Sequence, residues 1–508
     1  MIENKRIAKN TLLLYFQMTL VMLVGLYTSR VILRVLGASD YGLYNVVGGV
    51  VTMFAFLNGS LSAGTTRFIA YELGRKDVEQ LKKVFNVTFV SHLVVSFIAF
   101  LLAETIGLWF LNTQMSFPAD RTFAVNVVYQ FSIFSLILLL TQTPFDADIM
   151  AHEKMNVYAY VSVIGAGLKL LMVLLLVLNS TLDNLVLYSI LTFLTGMITL
   201  IVTRSYCYKH FEESGWQFCR DIKLYREILS FSGWNIIGGT TMIFQGQGVN
   251  ILLNIFFGPV VNAARAISYQ LQGIFSQLSN NFMSAVTPQI TKSYAVKEYR
   301  DMLYLMTESS KMSFFLLLVF LLPMMFKINY VLKLWLSNVP EQADTFAVLV
   351  LATLLVRATS TSVVMGIRAT GNIKRLNLYA NSLGLLSILL IFILFKMSFP
   401  AITAFWMLLA FAIITNIAEL IVLKIELPIF QIYNYLVSVF GRCFFICLIA
   451  VPLNYLLFSV CRDSLGYFLL YYSAAVLING LVVFYGGYNK TFREKIFAAV
   501  VGKIKNYL

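Results

Sequence analysis

The sequence predicts an all-α polytopic membrane protein of about fourteen transmembrane helices, two parallel six-helix repeats followed by two further helices. Three observations carry that expectation. Only 12% of the 508 residues are charged while 59% are hydrophobic, and mean hydropathy is +0.80; a soluble domain carries about 25% charged residues. Apolar runs of about twenty residues, the length that spans a bilayer, recur near 11–33, 42–63, 86–107, 124–145, 157–178, 185–206 and 230–253, and again near 262–286, 312–334, 343–366, 378–395, 402–423, 435–458 and 466–485. With both termini in the cytoplasm, most of the 38 Lys and Arg fall in cytoplasmic segments, as the positive-inside rule requires. The net charge of +14 therefore reads as topology and contact with anionic membrane lipids, with no nucleic-acid partner.

Residues 1–10 are short and basic, and the run behind them is too long for a signal-peptide core, so it reads as an uncleaved first span. That span ends in SRVILRVLGASDYGLY, residues 29–44, the stretch around which the chain is organised. Arg30 and Arg34 lie four apart and share a helix face. Singly, each would snorkel to the interface; as a pair beside a sharp turn, they are candidates to line a polar cavity. Span two carries small residues, Gly48 and Gly49 among them, which permit close helix approach in lipid. The loop 67–83 is charged and reads as helical, and Glu104, near the outer end of span three, reads as a solvated carboxylate.

Span four closes in TPFDADIMAHEKMN. Pro144 is expected to kink it, leaving Asp146 and Asp148 just beyond, at the cytoplasmic mouth. An Asp-x-Asp metal site of a sugar transferase needs a soluble nucleotide-binding domain, and no segment outside the apolar runs is long enough for one. Lys169 lies in the middle of span five, where a lysine costs about 2.5–3.5 kcal/mol on insertion scales. It must face water or protein, either in a functional cavity or in a buried pair. Residues 209–227 form a mixed-charge linker, and after it the pattern starts again.

Sliding the chain by 221 residues lays Gly37 on Gly258, Thr66 on Thr287, Ile69 on Ile290, Lys76 on Lys297 and Asp77 on Glu298. An offset of 218 lays Ala151 and Asn156 on Ala369 and Lys374. The same loops recur in the same order, which divides the chain into a bundle at 1–222, a second at 223–424, and two extra helices with a basic tail at 425–508. Six is even, so both repeats enter from one side and the pseudo-two-fold axis runs along the membrane normal. In the second repeat, Arg265 lies near the level of Arg30 and Arg34, and Arg357 sits in LLVRATSTS among small hydroxyl residues. Glu419 is expected to pair with Lys424. The inferred cavity is cationic, suited to phosphate oxygens that an Arg fork engages bidentately. The tail from 488 alternates basic and apolar residues as an interfacial helix would. Five cysteines without a CxxC pair and three scattered histidines show neither a disulfide framework nor a metal spacing, and no cofactor is implied.

Residues 30–37 with 40–44 (RVILRVLG and DYGLY), Ala151-His-Glu-Lys-Met155 and Ala369-Thr-Gly-Asn-Ile-Lys374 resemble the polysaccharide and O-antigen flippases of the multidrug, oligosaccharidyl-lipid and polysaccharide exporter superfamily. The resemblance runs from span one to span twelve, with two extra helices as in many members. It implies twelve to fourteen helices in two bundles and alternating access in a bacterial inner membrane. It further implies translocation of an undecaprenyl-diphosphate-linked, anionic oligosaccharide, with partners in polysaccharide assembly. Similarity to the lipid II flippases implies diphosphate-binding arginines in spans one and eight, hence Arg30 or Arg34 with Arg265, and Lys169 and Arg357 as further contacts. Coupling to Na⁺ or H⁺ is implied by the superfamily alone, with Asp146 the best-placed carboxylate.

Two other readings stand beside it. A multidrug exporter of the superfamily binds organic cations through carboxylates in spans one, seven or eight, where this chain has arginines. A membrane-embedded glycan polymerase or ligase needs a large external loop and a nucleophile–base pair, and neither is visible. A scaffold protein would not need mid-span Lys169 and Arg357.

Overall fold

The computed structural model describes residues 2–53, 77–488 and Arg493, apart from Glu153, Ser180, Phe218, Ser337, Gly371, Ile373 and Cys461–Asp463; between 54 and 76 it describes only Thr65, Phe68, Ile69, Glu72, Leu73 and Arg75. The basic tail expected to be an interfacial helix lies outside the described residues apart from Tyr488 and Arg493; in the 67–83 loop the described residues are helical, as expected, except Asp77, which caps α2. Helices account for nearly all of the rest: α1 Ile2–Thr52, α2 Val78–Gln114, α3 Thr122–Ala151, α4 Met155–Leu178, α5 Asn184–His210, α6 Ile222–Phe257, α7 Pro259–Ala295 and α8 Tyr299–Phe326. They continue with α9 Ile328–Trp335, α10 Ala343–Ala358, α11 Thr361–Ala369, α12 Leu376–Lys396, α13 Ile402–Glu426, α14 Ile432–Ser459 and α15 Leu465–Gly487.

Over the described residues each expected span falls on helix. Among the described residues, ten helices are long and apolar enough to cross a membrane, and α10 with α11, bent by 41°, makes an eleventh. The remaining difference from fourteen has local causes. Spans one and two form the single broken helix α1, whose far end runs out of the described residues. The other two, α6 and α7, carry Asn, Gln and Ser along their length, and fall short of the apolar threshold.

The break in α1 is at Gly37, φ 75° and ψ 171°, and the junction of α6 with α7 is at Gly258, φ 81° and ψ −178°. An L side chain essentially never adopts that region, so glycine is required. These two residues are the ones the 221-residue offset superposes. The same offset superposes Asp77 and Glu298, which stand at the N-caps of α2 and α8. The offset of 218 superposes Ala151 and Ala369, the last residues of α3 and α11. The internal repeat is thus present in backbone conformation where side-chain identity is sparse.

Packing divides the chain into two compact units, Met1–Ala266 with Trp335–Glu341, and Ile267–Leu334 with Gln342–Leu508. In the first unit α3 packs on α5 and α2, and α1 on α4. Its core is aromatic at one end, where Phe85 meets Phe145 edge-on at 5.3 Å, with Phe211 and Cys207 in the same cluster. Beyond the Gly37 break α1 approaches its neighbours closely: a Cβ on Gly42 would meet the carbonyl of Pro259, and one on Gly49 would meet Gln247 and Asn250. Small residues permit that approach, and Asn262 ties it together by donating to the Asn250 carbonyl at 2.7 Å.

In the second unit α8 is the central helix, with 67% of its most apolar window buried, against α10, α11, α14 and α15. Tyr435 anchors the base of α14 by bonding to the Thr359 carbonyl at 2.7 Å and the Ser310 hydroxyl at 2.6 Å. Tyr471 and Tyr472 donate to the carbonyls of Pro323 and Phe320 beside the helix-interior proline. Backbone groups in an apolar medium need such partners.

Gly37→Ala and Gly258→Ala should each cost about 1–3 kcal/mol, read as a lowered melting temperature in detergent. Gly25→Ala, on a regular turn of α1 with open space around its Cα, should leave the melting temperature within about 2 °C or raise it.

Candidate substrate site at the helix breaks

α1 buries Ser29, Ile32, Leu33 and Leu36 on one face and presents Arg30 and Arg34 on the other, where both are exposed. The i, i+4 spacing therefore aligns them on the turns just before the Gly37 break. Arg34 makes no hydrogen bond or ion pair with the described residues. Asp40, the acid nearest in sequence, is held instead by Arg121, which also donates from Nη1 to Asp183 Oδ2 at 2.6 Å. Arg121 thereby clamps the segment beyond the break to the start of α3 and the turn before α5. Asp183 lies outside the helices. Burial alone pushes its carboxyl up; the Arg121 hydrogen bond and charge, with the N–H groups of Val186 and Leu185, more than reverse that. Its affinity for protons is therefore below the usual carboxylate range, and the Arg121–Asp183 contact holds at neutral pH and weakens only as pH falls through that lowered range.

Lys169 is exposed on α4, in the middle of an apolar span, and has no hydrogen bond or ion pair with the described residues. Of the two expectations for it, a buried pair is not what the fold builds. Arg265 is different in kind: it is 8% exposed, and its Nη2 donates to the Gly246 carbonyl at 2.7 Å. It lies two turns into α7, after the Gly258 break, so its guanidinium is oriented by the neighbouring helix α6. Between α1, α3 and α5 lies a cavity of about 190 Å³, lined by Tyr44, Thr52, Ser132, Ser135, Ser189 and Thr192 among others, a hydroxyl-rich wall in an otherwise apolar bundle.

The pairing expected for Glu419 is corrected. Arg357, on α10 in the second unit, has protein partners: Nη1 donates to Asn416 Oδ1 and Nη2 to Glu419 Oε1, both at 2.9 Å. Glu419 accordingly does not pair with Lys424, which donates to the Pro428 carbonyl at 2.5 Å. Glu419 is buried and the α10–α13 contact brings Arg357 to it from 62 positions away, a proximity that local spacing does not show. Asp146 and Asp148, expected just beyond span four, lie on the same helix as that span. The helix continues through Pro144 to Ala151. Asp146 is half-buried and accepts from Gln142 at 3.2 Å, while Asp148 is fully buried.

Other charged groups were not singled out by sequence. Lys311, on α8, is buried and pairs with Glu308 at 2.6 Å, and both line a cavity of about 510 Å³ with Tyr304, Gln431, Tyr435 and Arg442. A lysine flanked by Ser and Glu at the edge of a span looks solvated in sequence; only the helices around it reveal its burial. Arg204 stacks on Phe145 at 5.1 Å and donates to the Thr141 carbonyl.

Nearly all-helical architecture and helices broken at matched glycines define the fold of a polytopic helical membrane protein. The fold is that of the lipid II flippase MurJ, whose inward closed structure matches with a TM-score of 0.70 at 12% identity, over 97% of this chain and 99% of the other. It is shared by an inward-facing multidrug resistance MATE family transporter of the MOP superfamily, TM-score 0.59, 12% identity, 80% of this chain and 98% of that one. A MOP superfamily transporter from Pyrococcus furiosus matches with a TM-score of 0.56 at 13% identity, over 83% and 96%. No curated protein sequence matches. The family profile described as polysaccharide biosynthesis protein matches residues 7–294, and the chain belongs to that family.

Arg357→Ala leaves Glu419 buried without its partner and should cost about 3–5 kcal/mol. Replacing both, Arg357→Met with Glu419→Leu, should recover most of that stability. Thermal unfolding of the three proteins in one detergent checks it; equal stability of Arg357→Ala and native protein would show that the pair is not structural.

Proposed function

We propose that the protein flips an undecaprenyl-diphosphate-linked oligosaccharide, a repeat unit of O-antigen, capsule or exopolysaccharide, across the bacterial inner membrane by alternating access. The observation that carries this reading is the pair of exposed cations Arg34 and Lys169, without a hydrogen bond or ion pair among the described residues, on the packed, apolar helices α1 and α4. An ammonium or guanidinium at membrane depth belongs in a wet cavity, and one that holds no protein acid is available to an anionic ligand. Arg30 and Arg265 complete the phosphate-binding set, Arg265 by a fork already oriented on Gly246. Membership of the polysaccharide biosynthesis family supports the substrate class. The extent of the likeness supports a flippase over a drug exporter: MurJ matches 97% of this chain and the MATE transporter 80%.

In this reading the diphosphate is bound by charge-assisted hydrogen bonds from the arginines and Lys169. Glycan hydroxyls meet the Ser, Thr and Tyr groups of the first unit, and the polyprenyl tail stays in lipid. The half-buried Asp146 is assigned to coupling with Na⁺ or H⁺. Arg357 has a structural part, through Glu419 and Asn416.

The test is translocation of a fluorescent undecaprenyl-diphosphate oligosaccharide in sealed proteoliposomes. Native protein should move it, and Arg34→Ala, Lys169→Ala and Arg265→Ala should each lower the rate at least tenfold, about 1.4 kcal/mol of binding, with folding intact. Native protein that leaves the lipid in place but exports a cationic dye under an ion gradient would overturn the proposal in favour of drug export.

A further inference from the structure

The end of the first unit that carries Asp148 holds a group which the flipping site does not use. α3 places Asp148 and His152 four residues apart on one face, His152 capping the helix by donating its N–H to the Asp148 carbonyl at 3.0 Å. The 3₁₀ turn Glu212–Ser214, between α5 and α6, brings Glu213 to the same point. His152 Nε2 lies 2.5 Å from Glu213 Oε1 and 3.7 Å from Asp148 Oδ1. The three donor atoms all lie within 4.8 Å of one another.

The arrangement is built. Asp148 is 0% exposed and Glu213 3%. Ser214 Oγ donates to Asp148 Oδ2 at 2.9 Å and turns the other oxygen, Oδ1, toward the imidazole; that oxygen is buried and accepts no hydrogen bond. The His152 ring is held flat on Phe211, centroids 4.1 Å apart and planes within 4°. With both carboxylates ionised, the group keeps net negative charge even when the imidazole is protonated, and buried charge without a counterion is costly. Either a proton held between the carboxylates or a divalent cation with neutral His152 balances it.

We propose that Asp148, His152 and Glu213 bind a divalent transition ion of the Zn²⁺ class. The donor set, one imidazole and two carboxylates, suits Zn²⁺, Mn²⁺ or Fe²⁺ better than Mg²⁺, which favours oxygen and water. A tetrahedral ion with bonds of about 2.0–2.1 Å separates its ligand atoms by about 3.3 Å, between the two spacings observed. Ser214 orients one ligand and Phe211 another, the supporting contacts such sites need. His152 is 25% exposed at its side chain, which gives the ion a path and leaves a fourth position for water. The bound ion joins the end of α3 to the turn after α5, 61 residues apart in sequence, and so fixes that end of the unit over the Phe85–Phe145–Phe211 core.

Full-length protein carrying a tag without histidines, purified in detergent and stripped with chelator, is titrated calorimetrically with Zn²⁺. One ion should bind per chain, Mg²⁺ should not compete, and Co²⁺ should give visible absorption bands of a nitrogen–oxygen site. His152→Ala, Asp148→Asn and Glu213→Gln should each weaken binding at least tenfold, while His210→Ala, stacked on Tyr206 outside the group, should leave it unchanged. Zn²⁺ should also raise the melting temperature of native protein and not of His152→Ala. Absence of stoichiometric binding by native protein, which needs no variant to fold, would overturn the proposal. So would displacement of Zn²⁺ by Mg²⁺, or binding that survives all three substitutions.

Discussion

The constraint on which the rest of this structure depends is a backbone one: two helices interrupted at Gly37 and Gly258 in a conformation that only glycine adopts freely. An unbroken helix would carry Arg30 and Arg34 straight into the next turns of apolar chain. The break instead ends the face that bears them and redirects the chain, so that Gly42 can lie against the carbonyl of Pro259 and Gly49 against Asn250. The second break does the same for Arg265, which the start of α7 delivers to the carbonyl of Gly246. Charge placement in this protein therefore follows from two residues that bear no side chain.

The ionisable groups in the apolar helices divide by whether they have a protein partner. Arg121 holds Asp40 and Asp183, Arg357 holds Glu419 and Asn416, and Lys311 holds Glu308. The first two join segments far apart in sequence and the third lies within α8, and removal of one member of a buried pair leaves a desolvated charge behind. Arg34 and Lys169 have no such partner among the described residues and are exposed. In a low-dielectric surround that difference separates structural charge from charge available to a ligand, a better guide than the depth of a residue in its span.

The Ala151–Met155 motif sits at a second functional end. Its histidine caps α3, stacks on Phe211 and faces two buried carboxylates, one of them from a turn outside the repeat's matched positions. The proposed diphosphate site and the proposed metal site would use opposite charge within one unit, and neither requires the residues of the other.

Composition and periodicity alone determined that the chain is a helical membrane protein with a repeat, because spans of about twenty apolar residues and alternate basic loops are one-dimensional signals. The glycine pair, Arg30, Arg34 and Lys169 were legible for the same reason: a broken span or a charge in one stands out against its own neighbours. The partners of Arg357, the burial of Lys311, the continuation of α3 through Pro144 and the meeting of Asp148, His152 and Glu213 were not. Each depends on which helix faces which across separations such as the 62 positions from Arg357 to Glu419, and in a uniformly apolar sequence many pairings satisfy the local pattern equally. Packing of small residues and the need to partner buried charge select one of them, and only the tertiary structure decided which.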